Sequence, residues 1–372
     1  MKRFSCIFFS LTISLLSLHQ KRDERFMKND SMRLQEWFLR EKRCLPWRED
    51  PTPYKVWISE VMLQQTRVSV VIEYFCRWIE KYPSIKDLSK ATEESVMKMW
   101  EGLGYYNRAR NLLKAAKHFI EHHEGQIPND AKALSCAPGF GPYTVGAVLS
   151  FAFHEKAAAV DGNVARVMSR YLGLEESIDS VRVRKKIEKC TENFLPDENP
   201  HVVMEGLIEL GAKVCSKVPQ CLRCPLQGGC KAHLFGITDR IPIKKKKNAT
   251  LHIEKDVVII KNQEKFMICQ KEEGSVLAGL YEFPSFERAH FEDVEVFIKK
   301  KYGIILQKVS DLPPQTHAYT HHDVELFPTI WETSCSRLIP GCQWRSLNEI
   351  EFLTCSAGHK RILNCLLKEF DL

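Results

Sequence analysis

The sequence predicts a mostly α-helical domain followed by a smaller α+β domain, and three observations predict it. Residues 31 to about 235 carry apolar positions at helical spacing, punctuated by Pro and Gly. A polar, basic stretch follows, Ile241-Pro-Ile-Lys-Lys-Lys-Lys-Asn-Ala-Thr250, and reads as a linker. After residue 253 the texture changes to short strand-like runs around turns, Val257-Val-Ile-Ile260 and Phe266-Met-Ile-Cys-Gln270, with helices among them. The expected division is a leader over 1–30, a helical domain over 31–235, a basic linker over 236–253 and a second domain over 254–372, and a chain of 372 residues suits two domains.

The elements follow in order. Phe4 to Leu18 is an apolar run that imitates the core of a secretory signal, but no small-residue cleavage site follows and the run is short for a bilayer. Met27 and Met32 both precede the recognisable domain, so the leader reads as a start placed too far upstream, with no membrane partner. Ser31 to Arg43 places Leu34, Trp37 and Phe38 on one helical face. Trp57 to Lys81 reads as one long helix stopped near Pro83, Thr92 caps a helix running to Trp100, and Tyr105 to His122 follows a Gly-Leu-Gly break. Leu134 to Leu149 reads as a hairpin opening a helix, and Asp161 to Leu172, Val181 to Phe194 and His201 to Cys215 complete the helical set. The second domain should hold helices over Phe291 to Tyr302 and Ser356 to Phe370.

A net charge of +7 permits nucleic acid binding without establishing it. Of fourteen cysteines, ten lack regular spacing and fit a reducing, cytoplasmic setting. The other four, Cys215, Cys221, Cys224 and Cys230, fall within sixteen residues at spacing C-x5-C-x2-C-x5-C. Thiolates this dense point to a metal or iron-sulfur site. A cubane cluster takes one thiolate per iron, structural zinc usually asks for two close ligand pairs, and a disulfide or bare thiols are the remaining readings.

Two carboxylates carry the candidate chemistry. Glu60 and Gln64 share a helical face, and Glu60 lies among Trp57, Val61, Met62 and Leu63. By periodicity it reads as a surface carboxylate; against apolar neighbours it would have a raised pKa and serve as a general acid. Asp161 opens Asp-Gly-Asn-Val164 as a helix cap whose amides favour its ionised form. An acid and a carboxylate are the pair that glycosidic cleavage requires. In the hairpin, Gly139 and Gly141 supply positive φ, and Pro142 fits the first position of a helix whose free amides suit a phosphate.

In these residues the chain resembles the helix-hairpin-helix DNA glycosylases with an iron-sulfur cluster, and among them the MutY-type adenine DNA glycosylases. The stretches that carry the resemblance are Leu45-Pro-Trp-Arg48, Trp57-Ile-Ser-Glu-Val-Met-Leu-Gln-Gln-Thr66, Gly102-Leu-Gly-Tyr-Tyr-Asn-Arg-Ala-Arg-Asn111, Pro138-Gly-Phe-Gly-Pro-Tyr-Thr144, Asp161-Gly-Asn-Val164 and the cysteine cluster. The resemblance implies a 4Fe-4S cofactor on the four cysteines. It implies a monomer acting on double-stranded DNA with an adenine mispair, removing adenine opposite 8-oxoguanine or guanine. Glu60 would protonate adenine N7 and later activate water; Asp161 would stabilise the oxocarbenium ion or its adduct, with Tyr143 and Asn163 in support. Trp47, Arg48, Leu63 and Glu205 would line the base pocket, and Gln65 and Tyr105 would wedge into the opposite strand. Gly139 and Gly141 would hold a phosphate beside the flipped nucleotide.

Tyr143 stands where strand-cutting relatives have a lysine, so no Schiff base is expected there and base removal without strand cleavage is implied. The first cysteine gap is one residue shorter than the family's usual C-x6-C. The second domain resembles a Nudix frame through Gly279-Leu-Tyr-Glu-Phe-Pro284 and the helix before Gly303, with Lys300 and Lys301 where metal-binding carboxylates would stand. That makes it a recognition module. The resemblance assigns lesion recognition to Tyr319, Thr320 and His321, in place of the family's Phe-Ser-His, and Leu277 replaces a frequent tryptophan. The alternatives are an endonuclease III-like glycosylase and lyase on oxidised pyrimidines, and a non-catalytic DNA-binding iron-sulfur protein.

Overall fold

A computed structural model describes residues 27–245, 250–272, 274, 277–288, 293–319 and 322–370. The leader's apolar run lies outside the described residues. Residues 27–89 together with 114–245 form one compact unit, and residues 90–113 together with the described residues from 250 onward form another. No helix among the described residues is long and apolar enough to cross a membrane.

The first unit begins with α1 (27–41) and α2 (Pro46–Glu49). The single helix expected from Trp57 to Lys81 is two, α3 (Pro53–Leu63) and α4 (Val68–Lys81). The break falls at Gln65, which takes a φ of +60° in the left-handed region. Neither Gly nor Pro marks it, so the apolar pattern runs through unbroken, and a non-glycine residue there is held by its surroundings. Thr52 caps α3, accepting a hydrogen bond from the Lys55 amide at 3.3 Å. Trp57 is 1% exposed and packs edge-on against Phe119, with Phe140 at a ring separation of 5.5 Å, anchoring α3 in the core.

After α5 (Ile85–Ser89) come α6 (Glu93–Trp100) and α7 (Asn107–His123), then the hairpin pair α8 (Ala131–Cys136) and α9 (Pro142–Phe153). Pro142 takes the first helical position, as expected. Gly139 has φ +82°, but Gly141 has φ −84° and open space where a Cβ would sit. The expectation of positive φ at both glycines therefore fails at Gly141, whose extended conformation is that of an ordinary N-cap. Next come α10 (Gly162–Leu172), α11 (Val181–Phe194) and α12 (Pro200–Lys213), then the short α13 (Lys231–Leu234) after the cysteine loop. At Gly211 a Cβ would meet that of Asn163 at 2.7 Å, so α12 closes on the start of α10 only because glycine stands there.

The second unit is built on a sheet ordered β3-β2-β1-β7-β5, where β1 is Leu251–Asn262, β2 Lys265–Gln270, β3 Tyr281–Glu282, β5 Gln307–Asp311 and β7 His322–Glu332. The long strands β1 and β7 run parallel in continuous register from Leu251 opposite His322 to Lys261 opposite Glu332. Off this path, β4 (Ser285–Glu287) pairs with β1, β6 (Gln315–Tyr319) with β7, and β8 (Cys342–Arg345) with β2. Alternation along β1 feeds two cores, a burial pattern for a strand covered on both faces. Val257 and Ile259 pack with Ile350 of α15 (Leu347–Glu351) and with Ile362 and Leu366 of α16 (Ala357–Glu369). Val258 and Ile260 pack with Ile298 of α14 (Val294–Tyr302). Within the same unit, Lys98 Nζ donates to the carbonyls of Glu351 and Leu353 at 2.7 and 3.0 Å, and the Glu101 carboxylate accepts from the Cys355 amide at 3.0 Å.

Lys300 and Lys301 are exposed on α14, and Leu277 takes φ +68°. Cys269 and Cys342 stand opposite each other on β2 and β8 and are joined as a disulfide. Two of the ten irregularly spaced cysteines are thus oxidised, contrary to the uniformly reduced state expected, because strand pairing brings side chains distant in sequence face to face.

Candidate active site

A cavity of about 910 Å³ opens in the first unit, and α3, the hairpin, α10 and α12 each place residues on its walls. Glu60, Leu63 and Gln65 come from α3 and the break after it; Gly139, Gly141 and Tyr143 from the hairpin; Asp161 and Asn163 from the start of α10; Glu205 from α12; Trp47 and Arg48 from α2. The structure thus brings together every residue expected at the reacting centre, the base pocket and the phosphate hairpin. Tyr105, also at positive φ (+48°), is 48% exposed in the second unit. Tyr319 ends β6, and Thr320 and His321 lie outside the described residues.

Glu60 is 6% exposed, against its reading from periodicity as a surface carboxylate. Burial pushes its pKa up to about 7, the Tyr143 hydroxyl opposes this by donating to its carboxylate, and the charges of Glu205 and Asp161 add to the rise. Near neutrality the group therefore holds or releases a proton readily, as a catalytic acid requires. Burial, with Glu60 next to it, drives the phenol of Tyr143 well above its ordinary range, so it remains a hydrogen-bond donor.

Asp161 caps α10 as expected, accepting from the amides of Asn163 (2.9 Å) and Val164 (2.7 Å) and from the Asn163 side chain (2.8 Å). Its pKa is nonetheless raised, because burial outweighs those donors. Helix amides alone do not set its charge.

Several supporting residues escaped the sequence reading. Arg166 Nη2 donates to Asn163 Oδ1 and to the Gly211 carbonyl, both at 2.8 Å, while its Nε donates to the Cys215 carbonyl at 2.7 Å. One guanidinium thus fixes the side chain that braces Asp161 and ties it to the cysteine loop. Arg48 Nε pairs with Glu205 at 2.5 Å, and Arg48 also reaches the fully buried Glu209, which Arg43 grips through two bonds of 2.6 and 3.1 Å. Helical spacing was the available signal: Arg166 follows Asn163 by three residues, and Glu209 follows Glu205 by four.

The four cysteines are half-buried around the loop from Cys215 to Cys230. Arg170 Nη1 donates to Cys215 Sγ at 3.4 Å. Burial pushes the Cys224 thiol up to about 12, with the other three cysteines adding to the rise, and raises Cys230 in the same way.

Residues 58–193 match the HhH-GPD superfamily of base excision DNA repair proteins, and residues 256–365 match a NUDIX domain. The adenine DNA glycosylase of Buchnera aphidicola subsp. Baizongia pistaciae is 34% identical over 292 residues, spanning 78% of this chain and 82% of the relative. The human adenine DNA glycosylase is 29% identical over 95% of this chain and 76% of its own length. Among solved structures, a thermostable thymine-DNA glycosylase superposes with a TM-score of 0.52 at 28% identity, covering 57% of this chain and 98% of that one. The repair-enzyme match spans α3 to α11, the source of both cavity carboxylates, and the sequence likeness to the Buchnera enzyme runs across most of both proteins. The chain therefore belongs to the adenine DNA glycosylase family and is a DNA glycosylase of base excision repair.

Proposed function

We propose that the protein removes adenine paired with 8-oxoguanine or guanine from duplex DNA, as a monomer, and leaves the strand uncut. One observation carries the reading: Glu60 is a buried carboxyl poised near neutrality, in one cavity with the capping carboxylate Asp161. Adenine must leave the stack to reach it, because the glycosidic bond is inaccessible within a duplex. Glu60 then protonates N7 of the flipped base, and Asp161 stabilises the sugar cation, steadied by Asn163 and Tyr143. Once the base has left, Glu60 takes a proton from the attacking water. Arg48, Glu205, Leu63 and Trp47 form the walls that receive adenine, and Gly139 and Gly141 offer amides to a phosphate. The assignment of Gln65 and Tyr105 as wedges into the stack of the opposite strand rests on the sequence resemblance; each takes a left-handed backbone conformation, which suits a side chain projected from a tight turn.

The position that would need an amine for strand cleavage holds a phenol bonded to Glu60, which disfavours the endonuclease III-like reading. Lesion recognition through Tyr319, Thr320 and His321 rests on the sequence resemblance.

The cysteine loop fits a 4Fe-4S cluster. All four cysteines line one small cavity, and a cubane takes one thiolate per iron, whereas structural zinc usually asks for two close ligand pairs. Cys215, Cys221, Cys224 and Cys230 would hold it, and when bound it supplies a fixed, charged anchor for the loop. The test is single-turnover excision from duplexes with adenine opposite 8-oxoguanine, guanine or cytosine, followed by alkali to reveal abasic sites. Fastest release opposite 8-oxoguanine is expected; no release from any duplex would overturn the reading.

A further inference from the structure

The start of the linker is built into the helical unit. Ile241 is 1% exposed, and its carbonyl accepts from Arg170 Nε at 2.8 Å. Ile243 forms a parallel bridge with Ser177, and its carbonyl accepts from the Ile178 amide at 3.0 Å. The Lys245 amide donates to Asp179 Oδ2 at 2.8 Å. Lys244, held from both sides, lines the catalytic cavity together with Arg184 of α11.

Lysine runs are usually solvated faces. Two features set Lys244 apart: its neighbours fix the backbone on both sides, and its charge sits over acid. The cavity is lined by Glu60, Asp161, Asp179, Glu188 and Glu205, and a DNA strand drawn across so many carboxylates needs compensating cations. Four cations line the same cavity. Arg43 and Arg48 are committed to Glu209 and Glu205. Arg184 is 64% exposed, with its guanidinium 3.8 Å from Asp179. Lys244 is exposed and makes no ion pair among the described residues.

We propose that Lys244, with Arg184, binds a backbone phosphate of the DNA strand whose adenine enters the cavity. Residues 241–245 are then part of the DNA-binding groove. This rests on the reading of the protein as an adenine glycosylase.

The test uses the full chain and a duplex with adenine opposite 8-oxoguanine, its target sugar modified to resist cleavage. Equilibrium binding is measured from 50 to 200 mM salt for wild type, Lys244→Ala, Lys244→Arg and the second-unit control Lys308→Ala. A lost phosphate contact lowers the slope of log affinity against log salt by about 0.9, so the gap between wild type and Lys244→Ala should narrow about 3.5-fold across that range. Lys244→Arg should restore the slope, and Lys308→Ala should match wild type, whereas a merely structural loss would weaken binding without changing the slope. An unchanged slope for Lys244→Ala, with wild type binding the duplex and excising adenine from its unmodified form, overturns the phosphate site alone. A wild type that neither binds nor excises overturns the glycosylase reading together with it.

Discussion

Glu60→Gln should trade activity for stability, in an amount that depends on pH. The amide keeps the shape of the carboxyl, and its oxygen still accepts from Tyr143, so the cavity stays packed. It has no proton to donate to a leaving base, and loss of a general acid commonly lowers the rate by about 10²–10⁴. The stability effect follows from the buried carboxyl. Its folded pKa, about 7, lies above the ordinary 4.5. A raised folded value means that the wild type's stability contribution is fully present below pH 4.5 and is lost as pH rises through about 7. That gap is worth about 3 kcal/mol by pH 8 at about 1.36 kcal/mol per pH unit, but only about 1 kcal/mol at pH 5, which lies only about half a pH unit above the unfolded value. Gln does not titrate. The variant's advantage over wild type should therefore grow by about 2 kcal/mol between pH 5 and pH 8. Urea titrations of both proteins at the two pH values measure it, alongside single-turnover excision. A stability difference independent of pH would show that Glu60 does not titrate in the buried, perturbed way argued here. Near-normal excision would remove it from the mechanism.

Further expectations concern its neighbours. Tyr143→Phe removes the hydrogen bond that holds Glu60's pKa down, so the alkaline fall of the pH–rate profile should move upward. Since such a bond to a charged group is worth about 1.5–3 kcal/mol, the move should be about one to two pH units, and a limb that stays in place refutes the coupling even if the plateau rate drops. Borohydride should trap no covalent adduct with an adenine substrate, and strand scission should need alkali; efficient trapping would implicate Lys244, the lysine lining the cavity. Protein purified without oxygen should be brown, with about four irons per chain, whereas one equivalent of zinc and no visible absorbance would favour the other metal.

The sequence by itself pointed to a helical domain followed by an α+β domain, to most of the helices, and to the candidate residues that gather around the cavity. These rest on local signals: Thr92, Asp161 and Pro142 mark helix starts because capping and proline geometry act within one turn. The cysteine spacing is equally local. Only the tertiary structure decided the chemical state of those groups. Glu60 looks like a surface carboxylate in its own helix and is buried where α9 packs on α3, with Tyr143 bonded to it, and that burial raises its pKa. Asp161 looks ionised as a cap, yet burial by other elements outweighs its amides. The break at Gln65 carries no Gly or Pro, so the periodic pattern concealed it. The Cys269–Cys342 bond depends on strand register, and the tie from Arg166 to the Gly211 carbonyl depends on α12 approaching α10. Desolvation and long-range charge arise from what other segments bring near a group, and one segment's pattern carries no record of that.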